Sequence, residues 1–252
     1  DNSMTDPLLT KTLAAVTDGG TTSQLQWNLI LRNPTAASKD EFTIGGLIGT
    51  MEENASVDIV FENNFQGSLK VSGTDHIGLF CNTMNTGSSL TAEYKKSSNA
   101  GSVSVATTVK DKDAGGFVGH MEADTGLAIA GASVNEVRSE AGNAGGIVGT
   151  NYGTVSSTDN SQKAEGNTTI DNYLGYTGGV VGCNQKGAVV KGTATEQIIT
   201  AGTWHVVAKA AGENTAVGGI IGHSMSGENL EYLTNYAEVK TTATGNIADG
   251  GI

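Results

Sequence analysis

Short apolar segments flanked by glycine recur along this chain at intervals of 30 to 40 residues. Each has a glycine pair, two bulky apolar residues and a further glycine, as in GGIVG from Gly145. A degenerate copy, IGLFC, begins at Ile77. Self-similarity at this period indicates a repeat architecture. The clear copies start at Gly45, Gly115, Gly145, Gly178 and Gly218, and a truncated copy starts at Gly250.

The segments between the copies alternate polar and apolar residues, which is the pattern of strands with one buried face. None keeps the period of an amphipathic helix for more than about two turns, and Asn, Gly, Asp and Ser separate them as turn residues. The pattern predicts an all-β, right-handed parallel β-solenoid of about seven coils, each with three strands. The predicted strands are VDIVF from Val57, SLKVSG from Ser68, GSVSVATTV from Gly101, TWHVVAKA from Thr203 and YAEVKTTA from Tyr236.

A β-propeller is the alternative architecture. Its blades need about four antiparallel strands in roughly 40 to 50 residues and carry aromatic signatures. The repeats of this chain are shorter and unequal, and aromatic residues make up only 5% of it. A solenoid accommodates unequal repeats because extra residues bulge out as loops.

Stacked coils would place equivalent motif residues in columns, about 4.8 Å apart. The second aliphatic position would point to the opposite face of the strand from the first. Both faces would then be apolar, which predicts burial on both sides or a sharp corner, where glycines allow close backbone approach. The predicted structural ladder is Gly45, Leu47, Leu79, Phe117, Gly145, Ile147, Val180, Gly218 and Ile220, and the second column is Ile48, Phe80, Val118, Val148, Val181 and Ile221.

Residues 1–44 lack the motif and are predicted to form an N-terminal cap or a first irregular coil. Within them, QLQWNLILR from Gln24 resembles a strand, and LLTKTLAAV from Leu8 a short helix or another strand. Residues 45–252 form the predicted repeat solenoid. We expect it to continue beyond residue 252, because GGI at Gly250 begins another copy. Trp27 and Trp204 are interpreted as core residues.

The formal charge of −12, from 26 acidic and 14 basic residues, disfavours binding to nucleic acid and to anionic membrane surfaces. Apolar runs such as AVGGIIG from Ala216 are far shorter than the roughly 20 residues that a membrane helix needs. The sequence therefore predicts neither a nucleic-acid partner nor membrane insertion.

The two cysteines, Cys81 and Cys183, lie three coils apart in the repeat alignment, or roughly 14 Å, so they are predicted to be free thiols. His120 and His223 each follow the last glycine of a copy and are also separated by three coils, so no shared zinc is predicted. The histidines, including His76, are interpreted as turn residues.

No cofactor, metal site or catalytic residue is predicted, because GxSxG, P-loop and HExxH patterns are all missing. Calcium is the alternative, since DKDAGG from Asp111 and MEADTG from Met121 offer loose carboxylates, although neither is an EF-hand loop. Glu52 and Glu122 fall in one column, but the alignment places Met84 between them. This pair is therefore interpreted as a solvated edge.

The stretches GGIVGTNYGTV from Gly145 and GGVVGCNQKGAVV from Gly178 resemble the GLUG motif, Gly-Gly-aliphatic-aliphatic-Gly-x-Asn. That motif occurs in large secreted and cell-surface proteins of bacteria, including the non-catalytic region of some immunoglobulin A peptidases. The resemblance covers residue 45 onward, with Met121 and Ser224 replacing the Asn in the copies at Gly115 and Gly218. It implies an extracellular β-solenoid used in adhesion or display, and it supplies no catalytic site.

These features predict a non-enzymatic adhesin or stalk module, extracellular or on a bacterial cell surface, that contacts a host surface protein or glycan. The candidate contact loops are Asn82–Ser89, Thr158–Thr169 and Ser224–Asn229, which are polar and unequal between repeats. The alternatives are a fibre subunit that associates with itself, an accessory region of a secreted peptidase or polysaccharide-acting enzyme, and an ice-binding solenoid. Unequal repeats disfavour the flat threonine lattice that ice binding requires.

Overall fold

The computed structural model is a parallel β-solenoid, as the repeat pattern predicts. In the described part of the chain there is no helix, and hence none long and apolar enough to cross a membrane. The structure describes residues 41–250 except 64–66, 108, 159–167, 173, 210–214, 226–228 and 243–247, and before them the strands Thr17–Asp18, Thr21–Thr22 and Leu25–Leu31.

Two long sheets of seven strands each run along the solenoid. All pairings within them are parallel, between equivalent strands of neighbouring coils. Sheet one comprises Leu25–Leu31, Ser56–Asn63, Ser89–Lys96, Gly126–Gly131, Thr154–Ser157, Val189–Lys191 and Leu230–Glu231. Sheet two comprises Glu41–Ile44, Ser68–Gly73, Val103–Thr107, Glu136–Ser139, Thr168–Asn172, Trp204–Ala208 and Glu238–Thr241.

Two further sheets, of six short parallel strands each, lie on either side of the repeated motif. Sheet three comprises Ile77–Gly78, Ala114–Gly115, Ala144–Gly145, Tyr176–Gly178, Ala216–Gly218 and Ala248–Gly250. Sheet four comprises Ile48–Met51, Cys81–Met84, Val118–Met121, Val148–Asn151, Val181–Asn184 and Ile221–Ser224. Two small sheets complete the described strands, an antiparallel pair Thr17–Asp18 with Thr21–Thr22 and a parallel pair Ile198–Thr200 with Leu233–Asn235.

Each complete coil passes through sheets one, two, three and four in that order, and the described chain contains five such coils. They begin at Ser56, Ser89, Gly126, Thr154 and Val189, with partial coils before and after. The prediction of about seven coils counted the partial ones. The prediction of three strands per coil was wrong because the motif divides into two short strands around a corner.

The motif itself forms that corner, as the copy at Gly145 shows. A strand of sheet three ends at Gly145, the chain turns through Gly146 and Ile147, and sheet four begins at Val148. Because the chain bends between Ile147 and Val148, both side chains can enter the core, and both are completely buried. The structure therefore decides between the two predicted explanations of the doubly apolar motif in favour of the sharp corner.

The three glycines of a motif copy are close to backbone on three different sides. A Cβ atom on Gly145 would overlap the carbonyl oxygen of Val148 in the same copy. A Cβ on Gly146 would overlap the carbonyl oxygen of Gly179 in the next coil, and one on Gly149 would lie 2.5 Å from that of Gly119 in the previous coil. Each position excludes a side chain because rigid backbone occupies the space.

The predicted alignment of the degenerate copy is wrong by one residue. Strand register pairs Ile77 with Ala114 and Cys81 with Val118, so Phe80, and not Leu79, occupies the position of Phe117. The single glycine of this copy, Gly78, takes the place of the first motif glycine, where the neighbouring coil leaves no room for a Cβ. The predicted ladder, which matches Leu79 with Phe117, instead places Gly78 at the second glycine of the motif.

The corrected register also changes one polar column. Met84 pairs with Met51 and Met121 inside the core, where all three side chains are fully buried. Met84 therefore does not lie between Glu52 and Glu122, although the predicted alignment places it there. Asn85, the residue after Met84, takes that place between them.

The core is largely apolar, and its buried polar side chains include a short amide ladder. The predicted ladder residues Leu47, Leu79, Phe117, Ile147, Val180 and Ile220 are all at most 3% exposed. In the column where earlier coils carry methionine, Asn151 donates from Nδ2 to Oδ1 of Asn184 at 2.8 Å. Trp204 is fully buried, as predicted, whereas the side chain of Trp27 lies outside the described part.

Part of the segment before residue 45 belongs to the solenoid. Leu25–Leu31 pairs in parallel with Ser56–Asn63, and Glu41–Ile44 pairs with Ser68–Gly73. The predicted strand from Gln24 is thus confirmed. Residues 8–16, predicted as a helix or strand, lie outside the described residues.

Both cysteines are free and buried, as predicted. Burial raises the pKa of Cys81 to about 12, and burial together with the charge of Asp113 raises that of Cys183 to about 12. Because the thiolate is the reactive form, we expect neither to react with a disulfide reagent in the folded chain and both to react in denaturant. Rapid labelling of the native chain would contradict this burial.

Candidate functional site

Two histidines and an aspartate meet on one side of the solenoid, where sheet three begins. Oδ2 of Asp113 lies 3.2 Å from Nδ1 of His76 and 3.0 Å from Nδ1 of His120. The two imidazole rings are 4.6 Å apart between centroids. His76 belongs to one coil, and Asp113 and His120 belong to the next. This cluster is the one described group of metal-binding side chains with three members close together.

His76 and Asp113 are held by a ladder of hydrogen bonds between successive coils. The amide of Asp113 donates to Nδ1 of His76 at 3.0 Å, and the amide of Asn143 donates to Oδ1 of Asp113 at 2.9 Å. The amide of Tyr176 then donates to Oδ1 of Asn143 at 3.1 Å. Three successive coils therefore contribute an acceptor side chain, from His76, Asp113 and Asn143, at the position just before the sheet-three strand.

The last motif glycine allows this column to lie directly against sheet four. A Cβ on Gly149 would lie 2.7 Å from Cβ of Asp113, and one on Gly119 would lie 3.0 Å from the carbonyl carbon of His76. Since His120 follows Gly119 in sheet four, the close approach places its ring beside Asp113. The same glycines that shape the corner thus assemble the cluster.

The side chain of Asp113 is only 8% exposed, so its carboxylate is buried. The ion pairs described for this carboxylate are with His76 and His120. Burial alone would raise the pKa of Asp113, but the hydrogen bond from His120, the neighbouring His76 ring and the hydrogen bond from the Asn143 amide hold it well below the usual value. Burial alone would lower the pKa of His120, but Asp113 and then Glu122 raise it. Both pKa shifts therefore favour a negatively charged Asp113 beside a positively charged His120.

Two further side chains border His120. Oε1 of Glu122 lies 3.4 Å from Nε2, the ring nitrogen that faces away from Asp113. The ring of Tyr152 lies 5.6 Å from the ring of His120 between centroids. His76 and His120 are 20% and 16% exposed, so solvent reaches the cluster from outside.

Sequence reasoning missed this cluster. The interpretation of the histidines as turn residues was wrong for His120, His205 and His223, which lie in strands. The separation of His120 from His223 by three coils is confirmed by strand register. His76 and Asp113 could have been found only from the correct alignment of the degenerate copy, which places His76 one coil from Asp113.

The predicted contact loops have mixed outcomes. Asn82–Ser89 is wrong in part, because its first residues lie in the strand Cys81–Met84 and the Asn82 side chain donates to the carbonyl of Gly45 at 3.0 Å. Thr158–Thr169 lies largely outside the described residues, and its last two residues belong to the strand Thr168–Asn172. Half of Ser224–Asn229 lies outside them, and Ser224 ends the strand Ile221–Ser224.

Comparisons were made with protein-family models, with curated proteins and with solved structures. None of the three gave a match to this chain.

Proposed function

We propose that this chain is a non-enzymatic stalk or adhesive module of a secreted or cell-surface bacterial protein. The observation that carries the proposal is the uninterrupted parallel register of four sheets through successive coils. The resemblance of the motif to GLUG repeats gives the proposal its cellular setting.

Such stacking gives a rod whose length grows with each coil. Seven strands at about 4.8 Å make a ladder of roughly 30 Å, and each coil contacts mainly its neighbours. The long sheets alternate buried and outward residues, as in Ser56–Asn63, where every second side chain is buried. One set of side chains therefore stiffens the rod while the other is free to vary and to contact a partner.

The acidic side chains favour a binding surface over a hydrolytic site. A polysaccharide-cleaving site would need carboxylates close together on one face, roughly 5 to 9 Å apart, with a subsite beside them. Glu52 and Glu122 are two coils apart on one edge, with Asn85 between them. Asp113 is engaged by two histidines. This distribution supports the non-enzymatic proposal.

The proposal is tested by displaying the chain on cells through an inert surface anchor. We expect cells that display it to be retained on panels of host surface proteins or glycans, and cells displaying the Gly145→Ala chain, whose corner is disrupted, to be lost. In parallel, the purified chain should hold its length when stretched between marker domains. Absence of both retention and mechanical resistance, or turnover of an anionic polysaccharide, would contradict the proposal.

A further inference from the structure

From the cluster geometry we propose that His76, Asp113 and His120 bind a zinc ion that links two neighbouring coils. Tetrahedral zinc with bonds of about 2.0 Å holds its ligand atoms about 3.3 Å apart. Oδ2 of Asp113 lies 3.2 and 3.0 Å from the two Nδ1 atoms, close to that spacing. One ligand atom from each of the three side chains lies within 4.8 Å of the others.

Each of the two rings can present an Nδ1 atom without a proton to a metal ion. Nδ1 of His76 accepts the amide hydrogen of Asp113, so it carries no proton, and a zinc ion on this nitrogen would take the place of that hydrogen bond. When Nε2 of His120 keeps its proton toward Glu122, Nδ1 of His120 carries no proton either. Both Nδ1 atoms then lack a proton and lie 3.2 and 3.0 Å from a buried carboxylate oxygen, and a cation between the three atoms would stabilise this arrangement.

A proton and a metal ion do not satisfy this arrangement equally. A proton on Nδ1 of His120 makes a good hydrogen bond to Asp113, but it leaves Nδ1 of His76 facing the carboxylate at 3.2 Å with no hydrogen between. A zinc ion attracts all three atoms at once. The His76 contact is therefore the feature that favours a metal over simple protonation.

The groups around the ligands match those of zinc sites. A metal-bound histidine usually donates its other ring N–H to a carboxylate, which fixes the ring orientation. Glu122 occupies that position beside His120. The ligating carboxylate is itself held by the amide of Asn143 at 2.9 Å. Both outer contacts come from residues other than the three proposed ligands, namely Glu122 and Asn143.

The ligand set selects the class of metal. Two imidazole nitrogens and one carboxylate oxygen suit zinc, whereas calcium takes six to eight oxygen ligands. The loose carboxylates predicted as a calcium alternative include Asp113, which the structure instead places between imidazoles. Three protein ligands leave a fourth position, which water can fill because the histidines are partly exposed.

The chain supplies conservative variants for the test. Asp113→Asn introduces the residue that the next coil carries in the same column, Asn143. His120→Thr introduces the residue of the adjacent coils, since His120 pairs with Thr83 and Thr150. Both should keep the fold. His205→Asn is the matched control, because His205 pairs with Glu238 on sheet two, away from the cluster.

The experiment is a Zn²⁺ titration of the full chain at neutral pH in competition with a chromogenic chelator. We expect one Zn²⁺ per chain, affinity at least about tenfold lower for Asp113→Asn and for His120→Thr, and unchanged affinity for His205→Asn. Nitrogen NMR should show the Nδ1 signals of His76 and His120 shifting when Zn²⁺ is added, and Ca²⁺ should not reproduce the shift.

Three results would overturn the proposal. One is no Zn²⁺ binding to a chain that is folded by circular dichroism. Another is equal affinity in the parent chain and in both folded cluster variants. The third is a protonated His120 whose ring signals do not change when Zn²⁺ is added, which would assign the cluster to a proton alone.

Discussion

Replacing Gly145 with alanine should lower the free energy of unfolding by about 3 kcal/mol or more. The added Cβ would overlap the carbonyl oxygen of Val148 and lie 2.7 Å from the amide nitrogen of Gly182. Both neighbours are backbone atoms held in sheet four, so no flexible side chain can move away. The conflict can be relieved only by opening the corner, which would disrupt stacking on both adjacent coils.

Gly126→Ala is the matched control for this substitution. Gly126 begins a strand of sheet one, and a Cβ there would have its nearest neighbour at 4.0 Å, the Cβ of Ser89. We expect its stability to change by less than about 1 kcal/mol, in the stabilising direction, because alanine restricts the unfolded chain. Urea denaturation followed by circular dichroism compares the two variants. Equal stabilities would contradict the role assigned to the motif glycine.

Replacing Phe117 with alanine should cost about 3 to 5 kcal/mol of stability. Phe117 is fully buried at the corner, and its ring centroid lies 4.8 Å from that of Phe80 in the previous coil. Truncation would leave a cavity between coils, and the backbone on either side is fixed by hydrogen bonds to Ile147 and from Phe80. Thermal and urea unfolding of the purified variant measure this loss.

Phe117→Leu tests whether the corner needs the aromatic ring or only a large apolar side chain. The next two coils carry Ile147 and Val180 in this place, so an aliphatic side chain is compatible with the corner. We expect this variant to lose less than about 1.5 kcal/mol. A loss below about 1 kcal/mol for Phe117→Ala would instead place the residue at a surface and contradict the corner geometry.

The fold could be predicted because its main determinants are periodic and local. Glycine pairs with aliphatic residues at a 30 to 40 residue period, and alternating strands such as Ser68–Gly73, indicate stacked coils. The four-strand coil and the register at Ile77 could not be predicted in this way. They depend on close contacts between backbone segments within and between coils. These contacts decide which motif position must be glycine in the copy that has only one glycine.

The cluster depends on contacts between coils that no short motif records. His76 and Asp113 are 37 residues apart, and the sequence alone presents Asp113 as one of the loose carboxylates near Asp111. Their approach to His120 follows from two features, the acceptor column before sheet three and the bare glycine surface of sheet four. Only a correct residue-by-residue alignment of the coils would have brought the three together.

The stacking of coils in this register is tested most directly by cysteine pairs on sheet one. Ser56 and Ser89 are paired across neighbouring coils with their hydroxyl oxygens 2.9 Å apart, whereas Thr91 pairs with Asp58. A Ser56→Cys, Ser89→Cys chain should form a disulfide on mild oxidation. A Ser56→Cys, Thr91→Cys chain should not, because its Cα atoms would exceed the about 7 Å limit. The opposite result, or no disulfide in either chain, would contradict the parallel solenoid.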